Sequence, residues 1–404
     1  MIDYTDKLND GVNFSLLLLF LVLMDGFGCI FLNTPILKYI YSIILVVFLF
    51  LSNKNERTKC RLVIAYFSFI VVSCIYSSIV HGQDFIRVFV NSYQYFSLII
   101  IFLLFKMNGS LISSEKTLIV LCIFFCICYI IQYLVYPIAI FNGALDKNAI
   151  DNYGQFRMRM PGSLCGYLLY FYGVNEYIQK RKNKYILYVL LGFFPILMMG
   201  FRSLMALTIL FTIFMIPFVT RRVSKSVKWL FVAVIVGCIS FNIPLVSEKY
   251  DEMMERQKSS QTFDNDDYIR LLALDYFSNQ VFIHPGERIC GGGVPLNDTK
   301  YGKSVMGVAE TDGYWWVDLG IVGLSFILGM PAVICLVLVV LKCVFLSSPP
   351  DKQYIRFALL TVLLGSVMTS MELFRNGNIL VLGLVYYLLI NENESRNINF
   401  SQSL

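Results

Sequence analysis

The chain reads as an all-α polytopic membrane protein of about 12 transmembrane helices, with one large outer loop that contains short helices. Three observations predict this class. Of its 404 residues, 57% are hydrophobic and only 15% charged, and mean hydropathy is +0.67. Apolar runs recur at the roughly 20-residue length that crosses a bilayer. Backbone groups in lipid must be satisfied within the segment, so continuous Leu, Ile, Val and Phe runs imply helices rather than a barrel.

The apolar segments lie at 13–32, 35–51, 62–80, 85–105, 117–141, 162–178, 185–201, 203–219, 228–246, 314–341, 354–371 and 377–391. The first lacks a cleavage site of small residues and reads as a retained span rather than a signal peptide. Connections Ser52–Arg61, Gln179–Lys184 and Thr220–Lys228 are strongly basic, and all three fall on one side if the spans alternate. Lys342, Lys352 and Arg356 fall there too. The positive-inside rule makes that side the cytoplasm and places both termini in it.

Three regions follow. Residues 1–246 form a nine-span membrane region, 247–313 a large outer loop, and 314–404 a three-span membrane region with a cytoplasmic tail. The loop carries twelve acids against seven bases, ordinary for a translocated segment. The net charge of +6 sits mostly in short loops, where topology explains it, and implies no nucleic-acid partner. Most of the eleven cysteines, among them Cys122, Cys126, Cys128 and Cys335, lie in apolar helices, where they act as small hydrophobes. No Cys/His set has zinc spacing.

Arginines on the outer face break the topological pattern. Arg157 and Arg159 sit two apart in FRMRMPGSLCG, so an extended backbone would point both the same way. They serve either as snorkelling anchors or as a phosphate-recognising pair. Arg202 follows Gly200 and Phe201 at a corner between two apolar runs. It opens a helix whose amino end already favours anions.

Within the loop, Asp264–Asp267 caps a helix expected to run through Ile283 and to carry Arg270 on its first turn. The spacing of these acids also fits a D-x-D metal clamp, but a cap is the simpler reading. His284, one of two histidines, has a pKa suited to proton transfer, although a lone histidine is more often structural. Gly291, Gly292 and Gly293 permit a tight turn or close approach to a ligand. Glu310 and Asp312 precede Tyr314-Trp315-Trp316, an interfacial aromatic belt at the mouth of the next span. Glu372 and Arg375 share the outer face and can pair with each other.

Together these stretches resemble the bacterial O-antigen polymerase and ligase superfamily, specifically a Wzy-type polysaccharide polymerase. FRMRMPGSLCG resembles the family's R-x-x-G segment. GFRSLMALTILF resembles its G-[ST]-R-[ST] helix opening, with Phe201 in place of the small residue. YIRLLALDYFSNQVFIHPGERICGGG and ETDGYWWVDLGIVG resemble the loop core that closes on a G-x-x-G, here Gly320–Gly323. Related ligases carry His-Asn eleven residues before that first glycine, where this chain has Ala309 and Glu310. The resemblance therefore favours polymerase over ligase and moves the expected base to Glu310 or Asp312, with His284 a further candidate.

It implies an inner-membrane glycosyltransferase with its large loop in the periplasm. The implied substrates are undecaprenyl-pyrophosphate-linked oligosaccharides, joined at the periplasmic face for O-antigen or a related polysaccharide, with lipopolysaccharide as one destination. The reaction implied by this resemblance requires neither a metal nor another cofactor. Arg157, Arg159, Arg202 and Arg270 are the expected pyrophosphate ligands. Membrane lipid and a chain-length-regulating co-polymerase are the implied partners. A flippase or other transporter is the rival outside the superfamily.

Overall fold

The computed structural model describes residues 11–32, 34–107, 111–141, 158–220, 269–281, 286–368 and 372–402. Within them every regular element is helical, and a single isolated bridge joins Cys29 to Phe141. The principal helices are α1 (Phe14–Leu23), α2 (Pro35–Leu51), α3 (Arg61–His81), α4 (Phe85–Asn91) and α5 (Tyr93–Lys106). Next come α6 (Leu111–Val135), α7 (Leu164–Lys180), α8 (Lys184–Met198) and α9 (Arg202–Thr220). The loop contributes α10 (Ile269–Asp275) and α11 (Lys300–Thr311). After it come α12 (Gly320–Leu328), α13 (Met330–Leu346), α14 (Gln353–Met368) and α15 (Asn378–Gln402).

Among the described residues, three helices are long and apolar enough to cross a membrane: α3, α6 and Ser203–Thr220 of α9. The pair α4 and α5 would make a fourth, bent by 54°. Large apolar side chains cover the outside as well as the core. Phe14 is 77% exposed, Ile79 78% and Leu134 73%, while Phe20, Tyr66 and Phe125 are fully buried. In water such a surface would associate; against acyl chains it is at rest.

Three expected spans are interrupted. Segment 13–32 stops at Met24 because Asp25, Gly26, Phe27 and Gly28 all take positive φ, at 49°, 57°, 63° and 79°. Phe27 is thereby turned inward, edge-on to Phe125 at 5.3 Å. Segment 85–105 is bent where α4 ends at Asn91. There the Ser92 hydroxyl turns back onto the Val88 carbonyl at 2.8 Å, a local bond that bends helices. Segment 314–341 divides at Gly329, whose φ of 80° and ψ of 153° admit no other residue without strain.

That last break explains the three consecutive glycines. The amides of Gly292 and Gly293 donate to the carbonyls of Phe326 (2.8 Å) and Ile327 (2.9 Å), and Ser73 Oγ of α3 donates to Ile327 as well, at 2.7 Å. A Cβ on Gly291 would fall 2.4 Å from the Gly329 nitrogen. The glycines therefore let two backbones meet at a helix break. Their neighbour is the chain itself.

The expected loop helix is described from Ile269 and runs through α10 into a wider turn at Tyr276–Gln280; its cap at Asp264–Asp267 lies outside the described residues. Ala273 and Phe277 face inward, while Leu271 and Leu274 face out. The loop is fastened to the end of α3. Gln83 accepts the Leu296 amide at 2.8 Å, and Arg87 grips Asp298 with two bonds of 2.7 and 2.9 Å. His81 stacks on Tyr301 at 3.9 Å, with its Nε2 3.4 Å from the buried Glu287.

Basic residues from separate connections meet at the other end of the bundle. Lys59 pairs with Glu394 (2.7 Å), Lys106 with Glu56 (3.2 Å) and Lys352 with Glu115 (2.5 Å). Lys342 reaches the Lys59 carbonyl and the Tyr386 hydroxyl. Gln179 and Asn175 tie the end of α7 to Pro350 and Asp351. The ten cysteines among the described residues are free thiols.

Candidate functional site

The site is built where the chain enters α7, turns into α9 and enters α15. Gly200, at φ 68°, makes the corner before α9 and sets Phe201 just ahead of the helix start at Arg202. Phe201 collects two cations. The guanidinium carbons of Arg159 and Arg375 each lie 5.4 Å from its ring centroid. Such contacts contribute about 0.5–2 kcal/mol each, more as water is excluded. Phe201 is thus the platform on which the two arginines gather.

Beneath them a polar frame ties α7 to α15. Glu372 is fully buried, and its Oε2 lies 2.6 Å from Arg375 Nε. Ser163 donates to the other carboxylate oxygen. Asn378 donates to Ser163 Oγ at 2.9 Å and to the Glu372 carbonyl, and accepts the Leu164 amide at 2.8 Å. The Gly162 amide donates to the Asn376 carbonyl at 2.9 Å. The Tyr129 hydroxyl holds the Met158 carbonyl at 3.0 Å, which fixes the backbone beside Arg159. Met24, at the end of α1, closes the floor: a Cβ on Gly162 would fall 2.4 Å from its methyl.

A buried carboxylate costs several kcal/mol in desolvation unless it is paired and hydrogen-bonded. Glu372 meets both conditions through Arg375 and Ser163. The frame therefore holds the guanidinium in one orientation instead of leaving it to wander. At the same corner the first turn of the 19-residue helix α9 presents the backbone N–H groups that favour anions.

The other sequence candidates divide. Arg157 and His284 lie outside the described residues, as does the side chain of Arg202, whose backbone opens α9. Arg270 is exposed on α10. Glu310 and Asp312 are exposed at the end of α11. This second group shares a neighbourhood, because a Cβ on Gly313 would fall 2.6 Å from the side chain of Ile269. Burial, and then the nearby Asp312 carboxylate, push the Tyr276 phenol above its ordinary pKa. The structure thus brings Arg159 to the Phe201 corner and sets Arg270, Glu310 and Asp312 together at the loop surface.

Among the described residues, no group of three or more His, Cys, Asp or Glu is placed to hold a metal ion. Sequence reading paired Glu372 with Arg375 but missed that Arg375 shares a ring with Arg159. It also missed the contact of His81 with Glu287 and Tyr301. Only the outer-face position of each residue could have hinted at these meetings. Comparison with protein-family models and with curated proteins finds no match for the chain.

Proposed function

We propose that this chain is an inner-membrane polysaccharide polymerase. It crosses the membrane about twelve times, with both termini cytoplasmic and the large loop in the periplasm. It joins undecaprenyl-pyrophosphate-linked oligosaccharide units at the periplasmic face, for O-antigen or a related glycan. The growing chain leaves its lipid carrier and is transferred to a sugar hydroxyl of the incoming unit. The new glycosidic bond forms as the bond to the pyrophosphate breaks, and the hydroxyl proton passes to a base. Undecaprenyl pyrophosphate departs with the electron pair.

The observation that carries this reading is the gathering of Arg159 and Arg375 on Phe201, at the helix start that Arg202 occupies. A departing pyrophosphate needs fixed positive charge in a water-poor site, and arginines held at a lipid surface supply it. The corner belongs to connections that alternate with the lysine-rich ones, the arrangement expected of a site facing the periplasm. The exposed Glu310 and Asp312 are candidate proton acceptors on the loop side, with His284 a third.

Deletion in a host with smooth lipopolysaccharide or a capsule tests the reaction. One capped repeat unit on the surface is the polymerase result. Absent surface glycan would indicate a ligase or flippase instead, and unchanged glycan rejects the reading. Arg202→Ala is expected to abolish long-chain polymer at an unchanged membrane level of the protein. Normal polymer length in that variant removes the arginine corner from the reaction.

A further inference from the structure

Arg375 has a geometry that its internal ion pair does not account for. Glu372 Oε2 lies 2.6 Å from its Nε, and its guanidinium carbon lies 5.4 Å from the centroid of the Phe201 ring. Its backbone amide and carbonyl are spent within the turn, on Glu372 and Asn378. A guanidinium gripped at Nε still presents the Nη1/Nη2 edge, a second fork that matches an oxyanion. That edge has no described acceptor, and the side chain keeps 20% of its surface open. The Tyr167 hydroxyl is fully buried on α7 and without a hydrogen-bond partner. It lies within electrostatic reach of both Glu372 and Arg375. A buried hydroxyl left unpaired costs about 1–3 kcal/mol, so it marks a place for a polar ligand atom.

We propose that Arg375 is an anion-binding residue for a diphosphate, with Glu372 its positioning residue and Tyr167 a hydrogen-bond donor to the same group. The identification of that diphosphate as the lipid-linked end of a glycan rests on the function proposed above; the anion site itself does not. The spacing of the two arginines admits a diphosphate. The two guanidinium carbons each lie 5.4 Å from the Phe201 centroid, so they are separated by at most twice that length. A guanidinium carbon sits about 4 Å from a phosphorus it grips, so two of them spanning a diphosphate stand no more than about 11 Å apart. Arg159 and Arg375 meet that limit. The buried Glu372, tied to Ser163, pairs with Arg375 on its Nε side.

The test is binding of inorganic pyrophosphate to the full chain in nanodiscs, followed by calorimetry. Arg375→Ala is expected to weaken binding at least tenfold, and Glu372→Gln severalfold. Tyr167→Phe, which keeps the ring, is expected to weaken it about threefold. Arg375→Ala binding as tightly as the parent overturns the proposal. If that variant does not fold, Arg375→Lys decides: it keeps the charge and loses the fork, and equal affinity overturns the proposal again. Farnesyl pyrophosphate then separates the two sources of a diphosphate. Affinity at least tenfold above inorganic pyrophosphate supports a lipid-linked ligand, and equal affinity overturns that assignment. Lost binding alongside normal polymer length would leave the anion site standing and sink the polymerase reading of it.

Discussion

Gly329→Ala probes the seat of the loop. At φ 80° and ψ 153° an alanine is strained by about 1–3 kcal/mol. Its Cβ would fall 2.1 Å from the Ile289 carbonyl oxygen and 2.8 Å from the Cys290 carbonyl carbon. Both obstacles are backbone, so no side-chain rotation relieves the clash, and the 289–293 stretch has to lift. Lifting breaks the bonds from Gly292 to Phe326 and from Gly293 to Ile327, each with a net contribution of about 0.5–1.5 kcal/mol. The expected loss is therefore about 2–6 kcal/mol. Thermal unfolding in detergent reads the total. Maleimide labelling of Cys290, mapped by mass spectrometry, reads the local event. Cys290 is half-buried in the parent and burial pushes its thiol pKa up, so labelling there is slow and should accelerate in the variant. An unchanged midpoint together with unchanged labelling would show that the glycines are not what holds the loop at the break.

Two further outcomes follow from polar contacts. Lys352→Met removes a side chain only 11% exposed that faces Glu115, Asp351 and Glu392, and Glu115 also accepts from the Tyr354 hydroxyl at 2.8 Å. Stranding those carboxylates should cost about 2–3 kcal/mol in chemical denaturation, less than a fully buried pair because Glu115 is partly exposed. Adding Glu115→Gln should restore part of the loss, and strict additivity would refute the coupling. On the loop, Glu310→Gln should impair polymer formation more than Asp298→Ala. Asp298 is exposed, and both of its carboxylate oxygens are taken by Arg87, so it offers no free base. Equal polymer lengths in the two variants would remove Glu310 from the reaction.

Much of the architecture was legible because hydrophobicity is a local property. The runs that became α2, α3, α7 and α9 appear within a residue or two of their observed ends, since twenty apolar side chains suffice for a membrane-length helix. The corner at Gly200 was legible too, because a positive φ favours glycine and an arginine behind it stands out in an apolar setting. What escaped sequence reading were the breaks. Asp25–Gly28 and Gly329 interrupt apolar runs that continue on both sides of them, and each break stands because distant backbone or rings fill the gap. A glycine cluster can be read as freedom to bend; which partner it bends toward cannot.

By itself, then, the sequence determined an all-helical chain with membrane-length apolar runs and with basic residues concentrated in alternate connections. Only the tertiary structure decided which arginines share a site. Arg159, Phe201 and Arg375 come from three separate connections, and Glu372 and Ser163 meet across 209 positions. Residues so far apart meet only after the helices between them have packed. Composition and spacing carry information over one or two turns of helix, and the candidate anion site is assembled at a longer range than that.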